Sequence, residues 1–279
     1  MSGSDAISPT AHYTGYVWSR NGLSHPALTT NEGRVLFSSL EPVMLASRTL
    51  GGPSLERYLL ARHRAIDARL EHAIEHGAIT QVVEVAAGLS PRGWRFSERY
   101  GDRITYIEAD LPAMAARKRR ALERMETLGD RHRVRDIDAL ADDGPLSLAA
   151  LAAELDRSAG LALITEGLLG YVSPSDLEAL WRRLATIANG FRAGVYISDL
   201  HLGSAQTPEV RVFRLLLSGF VRGGVYLHFD SAAQAEDQLR EAGFASAAVS
   251  RADRLISDPN DLPRGRGGQM AHILEASTE

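Results

Sequence analysis

There is no cysteine among the 279 residues of this chain. That absence removes thiol nucleophiles, iron–sulfur clusters, cysteine-ligated zinc and disulfides from consideration. A basic excess is also missing. The 31 Lys+Arg stand against 35 Asp+Glu, a formal charge of −4, which argues against a nucleic-acid footprint or a polybasic membrane anchor. No apolar run approaches the roughly 20 residues needed to span a bilayer. The opening MSGSDAISPT lacks the basic segment and apolar stretch that direct secretion. The expectation is a cytoplasmic protein with neither membrane nor nucleic acid as partner. A GxGxxG run is absent as well, so a pyrophosphate cofactor has little support.

What is present describes an ordinary globular enzyme-sized chain, 44% hydrophobic and 24% charged. A chain this long buries about three-quarters of its unfolded surface and needs no staple. Residues His12 to His25 (HYTGYVWSRNGLSH) gather Tyr13, Tyr16 and Trp18 among Gly, Ser and Asn without a clean period. They read as an extension packing its aromatics on the main domain, or as a cap over a ligand pocket. From Leu55, apolar positions recur at three or four residues (Leu55, Tyr58, Leu59, Ile66, Leu70, with Arg62 among them), predicting an amphipathic helix ending near Gly77.

Strands and helices then alternate. The strands are Gln81–Ala86, Ile104–Glu108, a weaker Arg133–Ile137, Leu161–Thr165 and Gly194–Ser198. The helices between them are Ala113–Leu128, Leu148–Leu155 and Ser175–Asn189. Such alternation predicts an α/β fold, a doubly wound and mostly parallel sheet covered on both faces. In the tail, helix Ser231–Ala242 precedes strands Ala245–Ser250 and Met270–Glu275. These two lack a helix between them, and so pair antiparallel or lie apart. The expected fold thus has an antiparallel last strand, with a helical or cap extension over residues 1–54 and a catalytic domain over residues 55–279.

In an open parallel sheet, ligands bind beyond the carboxyl ends of the strands. The first strand ends in EVAAGLS (Glu84 to Ser90), whose small residues let a ligand approach the backbone. The second ends in YIEADLP, with Asp110 placed 22 positions after Gly88, where a carboxylate can accept from ribose hydroxyls. The third ends in Asp136 or Asp138 and the fourth in ITEGLLGYV, with Glu166 at the edge. Three acidic strand ends suit a cationic, hydroxyl-rich ligand. S-adenosylmethionine meets both terms, and Arg62 is a candidate cation for its carboxylate.

The stretches VVEVAAGLSPRGWR, YIEADLP followed by ARKR, LITEGLLGYV and RHRAID (Arg62 to Asp67) resemble the leucine carboxyl methyltransferase family. The likeness is greatest to its bacterial branch, which includes polyketide O-methyltransferases of the tetracenomycin type. It runs from about Arg57 to Ser198. The resemblance implies a Rossmann-like class I methyltransferase fold and S-adenosylmethionine as cofactor. By the same resemblance, Arg62 holds the cofactor's carboxylate, Ala86 to Gly88 lie beside its amino-acid moiety, and Asp110 takes the ribose hydroxyls. Asp138 lies by the adenine and Glu166 faces the cofactor, while Glu84 and Leu111 flank these contacts within the same motifs. Two positions depart from the family pattern. Ala86 replaces the first glycine of GAG, which is compatible with a negative φ, and Ser90 replaces the common Asp after GL.

The implied reaction is methyl transfer to a carboxylate, phenol or alcohol of a small molecule. A carboxylate is ionised near neutral pH and needs no base, whereas a phenol gains from one. Tyr171 and His201 are the candidates for acceptor-side chemistry. Arg117 to Arg120 read as a solvated helix face paired with Glu123 and Glu126. His63, His72 and His76 share a helix at spacings that make no dedicated metal site. Arg264 and Arg266 sit on a loop that could grip an anion, though a plain surface loop is the simpler reading. Two rival readings remain: a nicotinamide-dependent oxidoreductase, which predicts glycines this chain lacks, and a non-catalytic S-adenosylmethionine-binding protein. The stretches Tyr13–His25 and Gly203–Phe229, expected to shape the acceptor pocket, match no interpretable motif.

Overall fold

The computed structural model describes residues 9–49, 52, 54–203, 226–257, 262–263 and 266–279. Two helices, α1 (Pro9–Arg20) and α2 (Asn31–Thr49), precede the long α3 (Leu55–His76). Then follow β1 (Ile79–Val85), α4 (Arg92–Tyr100), β2 (Thr105–Asp110), α5 (Pro112–Glu123), β3 (His132–Asp136), α6 (Leu148–Ala152), β4 (Gly160–Thr165), α7 (Pro174–Ala188) and β5 (Ala193–Leu200). The chain closes with α8 (Ala232–Ala242), β6 (Ser246–Arg251) and β7 (His272–Ser277). The seven strands form one sheet in the order β3-β2-β1-β4-β5-β7-β6. Strands β1 to β5 are parallel, and β7 enters antiparallel between β5 and β6. Strand order reverses about β1, with β2 on one side and β4 on the other, which opens a crevice at their carboxyl ends.

Alternation along each strand sorts the two faces. Val82, Ala162, Ile164, Ile197 and Ile273 pack on α3 together with Leu59, Ile66 and Leu70. Val83, Val85, Ile107, Leu161, Leu163 and Leu274 pack on α7 and α8 through Trp181, Leu184 and Leu239. Helix α3 starts where the Ser54 hydroxyl accepts from the Arg57 N–H at 3.2 Å, and it ends at Gly77.

The N-terminal stretch is helical, as the expected helical or cap extension requires, although its aromatics follow no clean period. Its aperiodic aromatics lie in regular helix, with Tyr13, Val17, Trp18 and Phe37 buried in the same core cluster as α3. Gly, Ser and aromatic residues are weak helix formers, and short helices draw their stability from tertiary packing rather than propensity. The helicity therefore leaves little local trace. Expected elements also shorten: α5 stops at Glu123 and α6 at Ala152. Among the described residues no helix is long and apolar enough to cross a membrane. Residues 204–225, which hold most of the expected acceptor segment, and Arg264 lie outside the described residues.

Candidate active site

The site begins as a row. Strand register pairs Ala109 with Val85, Val85 with Thr165, and Thr165 with Ser198. The next residue on each strand is Asp110, Ala86, Glu166 and Asp199, so these four emerge side by side at the carboxyl edge. Asp136 extends the row, paired with Asp110. Alternation turns the row toward the face covered by α3.

After β1 the backbone makes a tight bend in which Ala86 (φ 54°) and Gly88 (φ 52°) both occupy the left-handed region. A negative φ at Ala86 is thus corrected. The bend is held open toward the crevice by hydrogen bonds that its neighbours supply, against a cost of about 1–2 kcal/mol for a left-handed alanine. Asp110 is the principal support. Its Oδ2 accepts from the Gly88 N–H at 2.7 Å and its Oδ1 from the Leu111 N–H at 2.8 Å. Burial raises the Asp110 pKa, and the two N–H donors work against that rise. Each oxygen keeps acceptor capacity for another donor. Leu111, 54% exposed, presents apolar surface beside it.

Arg62 reaches the row from α3. Its Nε donates to Glu166 Oε1 at 3.0 Å and its Nη1 to Asp199 Oδ2 at 3.3 Å. Asp199 Oδ1 accepts from the Gly167 N–H at 2.6 Å. Gly167 has a φ of +69°, and a Cβ there would lie 3.3 Å from Arg62 Nη2, so a side chain at this position would crowd the guanidinium.

Beneath the row lies a buried ionic network centred on Arg92, a fully buried residue in the first turn of α4. Arg92 donates to Asp67 at 2.6 Å, to Glu84 at 2.5 Å and to Glu166 at 2.6 Å. His63 Nδ1 stands 2.8 Å from Glu166 Oε2, and Arg95 donates to Asp67 at 2.7 Å. Burial alone would raise the Glu166 pKa, but His63, Arg92 and Arg62 outweigh it and hold the carboxylate well below its ordinary range. Asp67 is likewise held at about 2 by His63, Arg92 and Arg95 against burial. Four carboxylates (Asp67, Glu84, Glu166, Asp199) meet three guanidiniums (Arg62, Arg92, Arg95), so negative charge prevails before His63 is counted.

Glu84 therefore needs correction as a cofactor contact. It is 1% exposed, and its oxygens are committed to Arg92 and to the Tyr106 hydroxyl at 2.7 Å. Two residues before Ala86 on the same face, it points under the crevice. Lys118 also reverses expectation. Placed within a run of four basic residues, it is only 2% exposed. It pairs with Glu108 and donates to the carbonyls of Ser90 and Gly88, tying the bend to α5. A lysine stem packs readily along apolar surface, and here its head finds three acceptors inside.

Asp136 is bound to Arg119 at 2.8 Å, while Asp138 lies beyond β3 and accepts from the Leu140 N–H at 2.9 Å in a turn. Tyr171, 40% exposed, ends a 3-10 turn after β4. His201 follows β5, its Nε2 2.6 Å from the Tyr58 hydroxyl. Burial lowers its pKa. Above the bend sits α1. Gly15 packs on Leu89, where a Cβ would come within 3.2 Å of the leucine's own, and the Trp18 ring lies 4.7 Å from that of His63.

Residues 30–185 match the leucine carboxyl methyltransferase family. The chain belongs to that family. A protein of Mycobacteroides abscessus bearing the name of an S-adenosyl-L-methionine-dependent methyltransferase is 32% identical over 146 residues, covering 51% of this chain and 44% of its own. A Mycolicibacterium gilvum protein of the same name is 31% identical over 205 residues, covering 71% of this chain and 65% of its own. This leucine carboxyl methyltransferase family member thus spans about half to two-thirds of the length of those relatives. Among solved structures, a methyltransferase from Thermobifida fusca superposes with a TM-score of 0.65 at 13% identity, over 96% of this chain and 94% of that one. A DUF574-family protein from Streptomyces avermitilis gives 0.62 at 11% identity, over 97% of each chain. These likenesses establish the methyltransferase Rossmann-like fold.

Arg92, Asp199, Gly167 and Tyr58 were not singled out by sequence reasoning. Asp199 carried a usable signal, since it ends its strand as Asp110 and Glu166 end theirs. Arg92 carried none, because an arginine after a turn ordinarily faces solvent.

Proposed function

We propose that this chain is an S-adenosylmethionine-dependent O-methyltransferase that methylates a carboxylate, or a phenolic or alcoholic hydroxyl, of a small molecule. The observation carrying this reading is the row Asp110, Ala86, Glu166 and Asp199 with Arg62 set against it. Its excess negative charge complements a sulfonium and an ammonium, and the Arg62 guanidinium beside Gly167 complements a carboxylate. Asp110 would hold the ribose hydroxyls, the bend at 86–88 would lie along the amino-acid moiety, and Leu111 and Asp138 would flank the adenine. Glu166, 4% exposed, acts chiefly by fixing Arg62. Within the expected extension, α1 would act as a cap that excludes water above the bend.

Bound there, S-adenosylmethionine would supply a methyl group from its sulfonium to an acceptor oxygen and leave as S-adenosylhomocysteine. The chain's own task is alignment and exclusion of water, a contribution of roughly 7–11 kcal/mol when geometry is well set. A carboxylate acceptor arrives ionised and needs no base, which agrees with an edge of acids already engaged with arginines and backbone N–H groups. The test is calorimetry with S-adenosylmethionine and with NAD, followed by methyl transfer to a panel of carboxylic and phenolic compounds read as released S-adenosylhomocysteine. Binding of the sulfonium but not NAD, with turnover of a panel member, is the expected result. NAD binding alone would return the oxidoreductase reading. Cofactor binding without turnover across a broad panel would favour a non-catalytic binder.

A further inference from the structure

Lys118 is the only lysine in the sequence, and the remaining 30 of the 31 Lys+Arg residues are arginines. Its side chain is 2% exposed, and its ammonium meets three acceptors. These are Glu108, with which it forms an ion pair, the Ser90 carbonyl at 2.5 Å and the Gly88 carbonyl at 3.3 Å. An ammonium has three N–H donors, so none is left for a ligand. A guanidinium spreads its donors in one plane, whereas here acceptors from the bend and from β2 converge on a single atom. Gly88 is thereby gripped at both of its polar groups. Its N–H donates to Asp110 at 2.7 Å and its carbonyl accepts from Lys118. Ser90 is gripped in the same way, with its N–H on the Ala87 carbonyl at 2.9 Å. The bend carries left-handed φ at both Ala86 and Gly88, a conformation unfavourable for alanine, so it depends on partners outside itself.

Resting on the assignment of this bend to the cofactor, we propose that Lys118 is a positioning residue for S-adenosylmethionine binding. It touches no part of the cofactor. By holding the Gly88 and Ser90 carbonyls, its ammonium keeps the bend in the conformation that receives the ligand. Once these two bonds are gone, the strained bend spreads over other conformations in the free chain. The cofactor then binds only the fraction that keeps the present one, and its apparent affinity falls by that fraction. Neutralising Glu108 is a separate task of the same ammonium, and the two tasks can be told apart.

The decisive comparison sets Glu108→Gln against the double variant Lys118→Met with Glu108→Gln, both in the full chain. Lys118→Met alone would strand the buried Glu108 charge and risk the fold. With that charge absent from both variants, the bonds to the bend are what separates them. In calorimetry with S-adenosylhomocysteine, Glu108→Gln should bind within about threefold of the wild type, and the double variant about tenfold or more weaker. Amide exchange in the glycine-labelled chain supplies a readout that a loss of general stability does not reproduce. Without ligand, the Gly88 N–H should exchange about tenfold or more faster in the double variant than in Glu108→Gln, while Gly160 on β4 exchanges alike in both. Saturating S-adenosylhomocysteine should slow Gly88 again. Equal affinities in the two variants, or equal Gly88 exchange, overturn the proposal. The wild type separates the two claims. If it binds no S-adenosylhomocysteine, the methyltransferase reading falls and this proposal with it. If it binds and the two variants behave alike, only the role of Lys118 falls.

Discussion

Ala86 and Asp110 show how a single side chain can decide the crevice. Ala86 holds a left-handed φ that glycine adopts freely, at a cost of about 1–2 kcal/mol, while glycine loses about 0.4–1 kcal/mol through its looser unfolded chain. Ala86→Gly should therefore leave the unfolding free energy unchanged or raise it by up to about 1.6 kcal/mol in urea titration. A clear loss of stability would mean that the methyl group makes a contact outweighing the strain. Asp110 both braces the bend and offers lone pairs to a ligand. Asp110→Ala and Arg62→Ala should each weaken S-adenosylmethionine binding by about tenfold or more, because each leaves ligand groups unpaired. Calorimetry giving wild-type affinity in either variant would remove that residue from the cofactor's surroundings.

Elements meet at Arg92. From the first turn of α4 its guanidinium reaches Asp67 on α3, Glu84 on β1 and Glu166 after β4, so one fully buried side chain joins three elements. Removing one partner of a buried ionic group leaves the others uncompensated, at a cost of about 3–5 kcal/mol. Arg92→Met should show a loss of that size in equilibrium unfolding. A loss under 1 kcal/mol would indicate that the carboxylates find other partners or take up protons. Lys118 does for α5 what Arg92 does for α4. It carries charge inward to Glu108 and to the bend's carbonyls, which a reading of α5 as a solvated face does not anticipate.

For the molecule as a whole, the buried carboxylates make stability depend on pH. Asp67, at about 2 in the fold against an ordinary 3.8, and Glu166, also depressed, stabilise the fold above their unfolded values. That contribution is lost as pH falls from about 4.5 toward 2. For Asp67 alone it is about 2 kcal/mol. Glu84 and Asp110, raised by burial, act in the opposite sense and soften the loss. Denaturant titrations at pH 7, 4 and 3 should show falling stability. Stability that rises with acid would mean the network is not ionised as the geometry implies.

By itself, the order of residues determined the alternation of strands and helices, the long α3 and the antiparallel tail, since period and turn chemistry are local properties. It also marked the strand-end residues Asp110 and Glu166, because position along a strand can be counted without knowing its neighbours. Only the tertiary structure decided which charges are inside. Arg92 and Lys118 look like any surface ion until the sheet register and the packing of α3 to α5 bring opposite charges together in the interior. The bounds and packing of the helices of residues 9–49 were also left to the tertiary structure, because packing rather than propensity holds them. Burial and long-range pairing depend on contacts between distant parts of the chain, and no local pattern records those.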